Sequence, residues 1–266
     1  MTVPETSAPY VRSEVAGGFA TVTLDSPRNR NAISSRLVGE LRQALADAAA
    51  DDSVRAVVLT HTGGTFCAGA DLSEAGGASD ADPAELAAGR TAQMTELLRE
   101  FLELPKPIVA RIDGHVRAGG MGLVGACDIA IAGPSSTFAL TEARLGLAAS
   151  IISLTVLPRM TSRAAGRYFL TGEKFGPAEA ERLGLITIAS EDAAVTVAEV
   201  CAELELASPQ GLAESKRLTT ARMLADFDRY GEELAAQSAR LFGSPEAVEG
   251  MTAFFQRRPP AWVPSE

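Results

Sequence analysis

The chain has 266 residues, 46% of them hydrophobic, which is enough for one large domain with a substantial core or a domain with an appendage. A formal charge of −10, from 34 acidic and 24 basic residues, disfavours a nucleic-acid partner, and no apolar run approaches the ~20 residues that cross a membrane. Cys67, Cys127 and Cys201 have no metal or redox spacing, and with two histidines and no H-x-x-H motif no metal site is expected.

Residues 1–10, MTVPETSAPY, lack the basic start and apolar core of a signal peptide, so a flexible tail on a cytoplasmic protein is expected. Residues 11–24 form two extended runs about Gly17-Gly18, a hairpin pattern. After a loop with Pro27, Leu37, Leu41, Leu45 and Ala48 recur at helical spacing, with Ser34 or Ser35 as N-cap. Ala56-Val57-Val58-Leu59 reads as a short buried strand, followed by the loop HTGGTFCAGAD. The segment 73–82 reads as a mobile loop. Asp82-Pro83-x-Glu85 then resembles a helix start, with a capping aspartate, proline at N1 and glutamate at N3. That helix runs to about Leu104, Pro107 ends it, and Ile108–Ile112 is the next strand. A short helix and another buried strand, Cys127–Ala132, follow. Strands alternating with helices predict parallel pairing in an α/β core. Beyond about residue 190 the pattern is helical over 192–206, 209–240 and 244–256. The division that follows is an α/β core over 11–200 and a helical region over 201–266.

The stretch RAGGMGLVGACD, residues 117–128, contains G-x-G-x-x-G at Gly120, Gly122 and Gly125. A dinucleotide turn needs its first glycine at a strand end and its third at the start of a full helix. Here the strand ends near Ile112, Gly120 comes seven residues later, and only about two helical turns fit before the next strand. The glycines therefore suit a close backbone approach better than a nucleotide cradle. Two N–H groups at a helix N-terminus can hold a developing anion. Gly119-Gly120 fits that use, with a second donor from the loop over residues 63–71.

At this point the residues resemble a known family. TFCAGADLSE and DGHVRAGGMGLVGACDIAIA are similar to the two oxyanion loops of the enoyl-CoA hydratase/isomerase (crotonase) superfamily. LDSPRNRNAISSRLVGEL resembles its CoA-binding N-terminal motif, and STFALTEARLGL the segment that carries a catalytic glutamate. FLTGEKFGPAEAERLGLI and MTAFFQRRPPAW resemble later elements, in the family's order. The resemblance implies a crotonase-like ββα superhelix with a helical C-terminal region for oligomerisation and pocket cover. It implies an acyl-CoA thioester as substrate, CoA being part of the substrate and no separate cofactor being needed, and homotrimers or homohexamers. Backbone N–H groups of Ala70 and Gly119 would bind the thioester oxygen. Ala68, Asp71 and Leu72 would line the pantetheine path, and Arg28, Arg30 and Ala32 would lie near the nucleotide end. An ordinary solvated basic loop accounts for Arg28 and Arg30 equally well.

Hydratases of this family use two glutamates. The second matches Glu142, the candidate acid/base; the first falls at Gly122. Apolar neighbours on both sides of Glu142 predict partial desolvation and a raised pKa. If the segment is extended, Arg144 shares a face with Glu142 and opposes that shift. The expected function is reversible hydration of an α,β-unsaturated acyl-CoA, and the resemblance of residues 140–175 to bacterial methylglutaconyl-CoA hydratases implies a branched, methylglutaconyl-CoA-like substrate. Such a substrate's carboxylate could recruit Arg117 or Arg144. The alternatives are Δ3,Δ2-enoyl-CoA isomerisation by one glutamate, and a non-catalytic acyl-CoA binder.

Overall fold

The computed structural model describes residues 8–75 and 83–264. The hairpin is present: β1 (Val11–Ala16) pairs antiparallel with β2 (Phe19–Leu24), turning at Gly17 and Gly18, both with positive φ. Helix α1 (Ser35–Ala50) starts at Ser34, whose side chain accepts the Leu37 N–H, and it buries Leu37, Leu41, Leu45 and Ala48 as their spacing predicts. Helix α2 spans Pro83–Glu103; its expected cap Asp82 lies outside the described residues, as does most of the loop read at 73–82.

Between and beyond these helices the chain repeats one unit, a longer strand, a three-residue strand and then a helix. The first turn is β3 (Ala56–His61), β4 (Thr65–Cys67) and α2. The second is β5 (Ile108–Ile112), β6 (His115–Arg117) and α3 (Gly119–Ala126). The third is β7 (Ile129–Ala132), β8 (Thr137–Ala139), a 3-10 turn over Glu142–Leu145 and α4 (Ser150–Val156). The longer strands join a six-stranded sheet in the order β1-β2-β3-β5-β7-β9, where β9 is Ile188–Ala189. Every pair in it except β1-β2 is parallel. The short strands form a second, parallel sheet, β4-β6-β8. This is a ββα superhelix, built because each short apolar strand buries its residues only by pairing with the equivalent strand of the next turn.

One face of the large sheet packs on the main core with α1, α2 and α3. On the other, Val58, Val109 and Ile131 meet Ala193, Val197 and Cys201 of α7 (Ala193–Glu205), which spans residue 200. Helices α5 (Ser162–Thr171) and α6 (Pro177–Arg182) come before β9. The C-terminal region consists of α8 (Pro209–Phe242) and α9 (Pro245–Gln256), each opened by a serine N-cap and a proline. Helix α8 lies along α2 and is pinned by an ion pair from the buried Lys216 Nζ to the partly buried Asp128 Oδ2 at 2.8 Å. No helix among the described residues is long and apolar enough to cross a membrane.

Candidate active site

The small sheet assembles the site. Its register sets Thr65, His115 and Thr137 side by side, then Cys67, Val116 and Phe138. Three adjacent parallel strands therefore run out at one edge into Ala68–Ala70, Ala118-Gly119 and Leu140–Glu142. Both candidate amide donors and the candidate acid leave the fold there together. Strands of three residues carry no readable periodicity, so this sheet was not visible in the sequence, where 63–71 reads only as a loop.

The two donor loops touch. A Cβ built on Gly69 would lie 2.7 Å from the Cβ of Ala118 and 3.3 Å from the Gly119 nitrogen; one on Gly119 would lie 3.8 Å from the Ala70 nitrogen. Gly69, at φ +88°, is thus excluded from carrying a side chain by both conformation and space. Ala70 forms a parallel bridge with Ile33, whose N–H donates to Gly69 O and whose carbonyl accepts from Asp71. Those bonds flank Ala70, so its own N–H points away from Ile33. Gly119 opens α3, where the first N–H groups have no acceptor within the helix. Ala118 before it holds φ 46°, ψ −121°, a strained conformation that sets the angle at which α3 begins. At the far end of α3 the Arg159 guanidinium donates to Gly125 O and Cys127 O, each at 3.0 Å, a cation at the negative end of the helix.

All three glycines of the G-x-G-x-x-G pattern serve packing. A Cβ on Gly120 would stand 2.8 Å from Cys67 Cβ, one on Gly122 2.5 Å from Ile152 Cγ2, and one on Gly125 2.7 Å from Thr155 O. The first lets α3 lie on β4, and the other two let it lie against α4. The space that a first glutamate would occupy at Gly122 is filled by Ile152, with Leu98 Cδ1 at 3.4 Å.

Glu142 begins a 3-10 turn that Gly146 closes in the left-handed conformation. Its Oε2 is buried and, among the described residues, has no hydrogen-bond partner. Burial pushes the carboxyl up to about 7, slightly offset by its own backbone N–H. The segment is not extended, which corrects the expectation about Arg144. In a 3-10 turn residues two apart do not share a face, and Arg144 Nε donates to Thr171 O at the end of α5. Arg117 is likewise occupied, donating to Val116 O, Thr137 O and Thr137 Oγ1.

The other predicted residues fall on two interlocked loops. The Arg28 and Arg30 side chains are exposed, with no hydrogen bond or ion pair among the described residues. Ala32 is buried, and Ala68 N–H donates to Arg30 O. Leu72 opens a short 3-10 turn that ends at Ala75. Asp71 accepts from Ser73 and from Asn29 Nδ2, which binds the two loops together and holds its carboxyl below its ordinary value although partial burial alone would raise it. Sequence reasoning missed Asn31. It is fully buried at φ 53°, donates to Thr62 O and Thr65 O, and accepts the Ser26 N–H. His61 accepts the Asp113 N–H at Nε2 and packs edge-on to Phe66; burial lowers its pKa, in keeping with a structural role. The three cysteines are buried and unpaired, and burial pushes Cys67 up to about 12.

The arrangement matches known proteins along nearly its whole length. The pattern of the enoyl-CoA hydratase/isomerase family covers residues 14–264. A crystal structure of an enoyl-CoA hydratase from Mycobacterium avium superposes with a TM-score of 0.90 at 53% identity, over 97% of this chain and 100% of that one. The (E)-benzylidenesuccinyl-CoA hydratase of Thauera aromatica is 30% identical, over 95% of this chain and 98% of its own. The 1,2-epoxyphenylacetyl-CoA isomerase of Escherichia coli is 28% identical, over 96% of this chain and 98% of its own. The chain belongs to the enoyl-CoA hydratase/isomerase family.

Proposed function

We propose that the protein moves the double bond of an enoyl-CoA thioester, with Glu142 as its single acid/base group. The supporting observation is the contrast between positions 142 and 122. Glu142 has a buried, unpartnered Oε2 and a carboxyl shifted to about 7, so near neutral pH it can both take and return a proton. At Gly122, Ile152 and Leu98 leave no place for a second carboxylate to hold a water. In this reading the Glu142 carboxylate removes a proton from C2 of a 3-enoyl thioester. The electron pair moves onto the thioester oxygen, held by the Ala70 and Gly119 N–H groups. The same proton returns at C4 as the enolate collapses to the 2-enoyl product. Backbone donors aimed at an oxygen that gains charge are worth on the order of 3 kcal/mol each in barrier. Arg28 and Arg30 would meet the phosphates of the CoA nucleotide, and Ala68 and Leu72 would flank its pantetheine arm.

Hydration is the second reading, favoured by relatives named hydratases, among them the Thauera aromatica protein at 30% identity. It requires Glu142 alone to deprotonate water and protonate C2. Incubating the purified protein with 3-enoyl- and 2-enoyl-CoA esters in deuterium oxide separates the two. Double-bond migration without 3-hydroxyacyl-CoA supports isomerisation, and rapid reversible formation of the 3-hydroxy product overturns it. A protein that binds the thioesters but converts none of them is a binder.

A further inference from the structure

The Glu142 turn is clasped from outside by helix α9. A Cβ on Gly250 of α9 would lie 2.5 Å from Leu145 O and 2.8 Å from Leu145 Cα. A Cβ on Gly146 would lie 2.6 Å from the carbonyl carbon of Glu246 and 2.8 Å from Ala247 N, in the first turn of α9. The two glycines thus hold backbone against backbone, reciprocally. Both Gly146 N–H and Leu147 N–H donate to Glu142 O, so the clasped segment is hydrogen-bonded directly to the acid residue. Ala247, Gly250 and Ala253 are buried while Val248, Phe254 and Phe255 on the same helix are exposed, so α9 meets the core along its small-residue face.

We propose that Gly146 and Gly250 are positioning residues, a backbone lock by which α9 fixes where the Glu142 carboxyl stands. Because the atoms a new methyl would meet are backbone, no side-chain rotation relieves the clash, and α9 or the turn must move. Misplacing a reacting group by about 1 Å lowers turnover by as much as about 100-fold. The inference rests on Glu142 being the acid/base group.

The test compares Gly250→Ala and Gly146→Ala with two matched controls. Gly166→Ala adds a methyl in a helix and Gly17→Ala adds one at positive φ, each into open space. Both lock variants are expected to lose about tenfold to 100-fold in kcat, with KM for the enoyl-CoA within about twofold of wild type. The controls are expected to keep wild-type kinetics. Gly250→Ala with wild-type kcat overturns the lock, and so does an equal loss in the controls. If Gly250→Ala does not fold, Gly146→Ala is judged by the same criteria. Amide hydrogen exchange at Gly146 and Leu147 gives an activity-free measure: faster exchange in Gly250→Ala supports the lock and unchanged exchange overturns it. Wild-type protein that turns over no thioester defeats the functional reading alone, and exchange then decides the lock.

Discussion

Ile152 stands where a side chain on Gly122 would have to go: a Cβ built there lies 2.5 Å from Ile152 Cγ2 and 2.9 Å from its Cβ. The missing acid is therefore built into the packing of α3 on α4 and is not a simple exchange of one side chain. Gly122→Glu alone is expected to overpack the contact and lose about 1–3 kcal/mol of stability, read as a lower denaturation midpoint at unchanged m-value. Gly122→Glu with Ile152→Ala is expected to recover part of that loss. It should also raise the ratio of hydration to double-bond migration above wild type. A double variant that regains stability with the ratio unchanged would remove Ile152 as the reason for one-acid chemistry.

Glu142 couples activity and stability with opposite signs. Its folded pKa is raised from 4.5 to about 7 by burial, so the native state keeps a proton that the unfolded chain releases. Stability from this group is therefore highest below about pH 4.5, declines as pH rises toward 7, and is lowest above it, by on the order of 3 kcal/mol. Glu142→Gln removes the penalty. Its Tm advantage over wild type is expected to be larger at pH 8 than at pH 5, whereas its turnover falls about 100-fold or more at both. In wild type kcat/KM for proton abstraction should rise with pH through about 7, since the carboxylate is the base. A profile flat from pH 5 to 8 would show that this carboxyl does not carry the rate-limiting proton.

The long elements were legible in the sequence because each carries its own signal. The recurrence of Leu37, Leu41 and Leu45 every four residues, and the Ser-Pro pair at 244–245, state a helix face and a helix start locally. Glu142 was singled out by the family resemblance of its segment, and its apolar neighbours foretold the raised pKa that burial gives it. What was hidden depends on residues far apart in the chain. The β4-β6-β8 sheet exists only when three turns of the superhelix stack, and the role of Gly122 depends on Ile152, thirty residues later. Asn31 was passed over because its partners, Thr62 and the first residue of β4, Thr65, lie more than thirty residues later in the chain. Arg117 and Arg144 invited a role as free cations, yet both are donors to backbone carbonyls.

Lys216 offers a test of the scaffold independent of the chemistry. Its ammonium is buried, pairs with Asp128 at 2.8 Å, and donates to Phe101 O and Lys106 O, while Asp128 accepts the Ile108 N–H. Burial lowers the Lys216 pKa and the Asp128 carboxylate works against that shift. Replacing the lysine with methionine leaves a partly buried carboxylate with only a backbone partner, which is expected to remove on the order of 3 kcal/mol. Lys216→Met with Asp128→Asn, which removes both charges, should be less destabilised than the sum of the single variants. Additive losses would mean that the pair contributes as two separate contacts.

The Arg28 and Arg30 guanidinium groups are exposed and make no hydrogen bond or ion pair among the described residues, on a loop held by the buried Asn31 and by the Asn29–Asp71 bond. Their removal takes away no contact that folding uses, so Arg28→Ala with Arg30→Ala should leave stability within about 0.5 kcal/mol of wild type. If they face CoA phosphates, KM for the full thioester rises and the increase shrinks at high salt, because exposed charges are screened within about 10 Å at 0.1 M ionic strength. Turnover at saturation stays the same, since this binding is equal in the ground and transition states. A thioester of pantetheine alone, lacking the nucleotide, supplies the internal control: its KM should not respond to the substitutions. An equal rise for both substrates would place the arginines' effect on the loop's shape and not on the phosphates, and an unchanged KM for the CoA ester would return them to ordinary solvated surface.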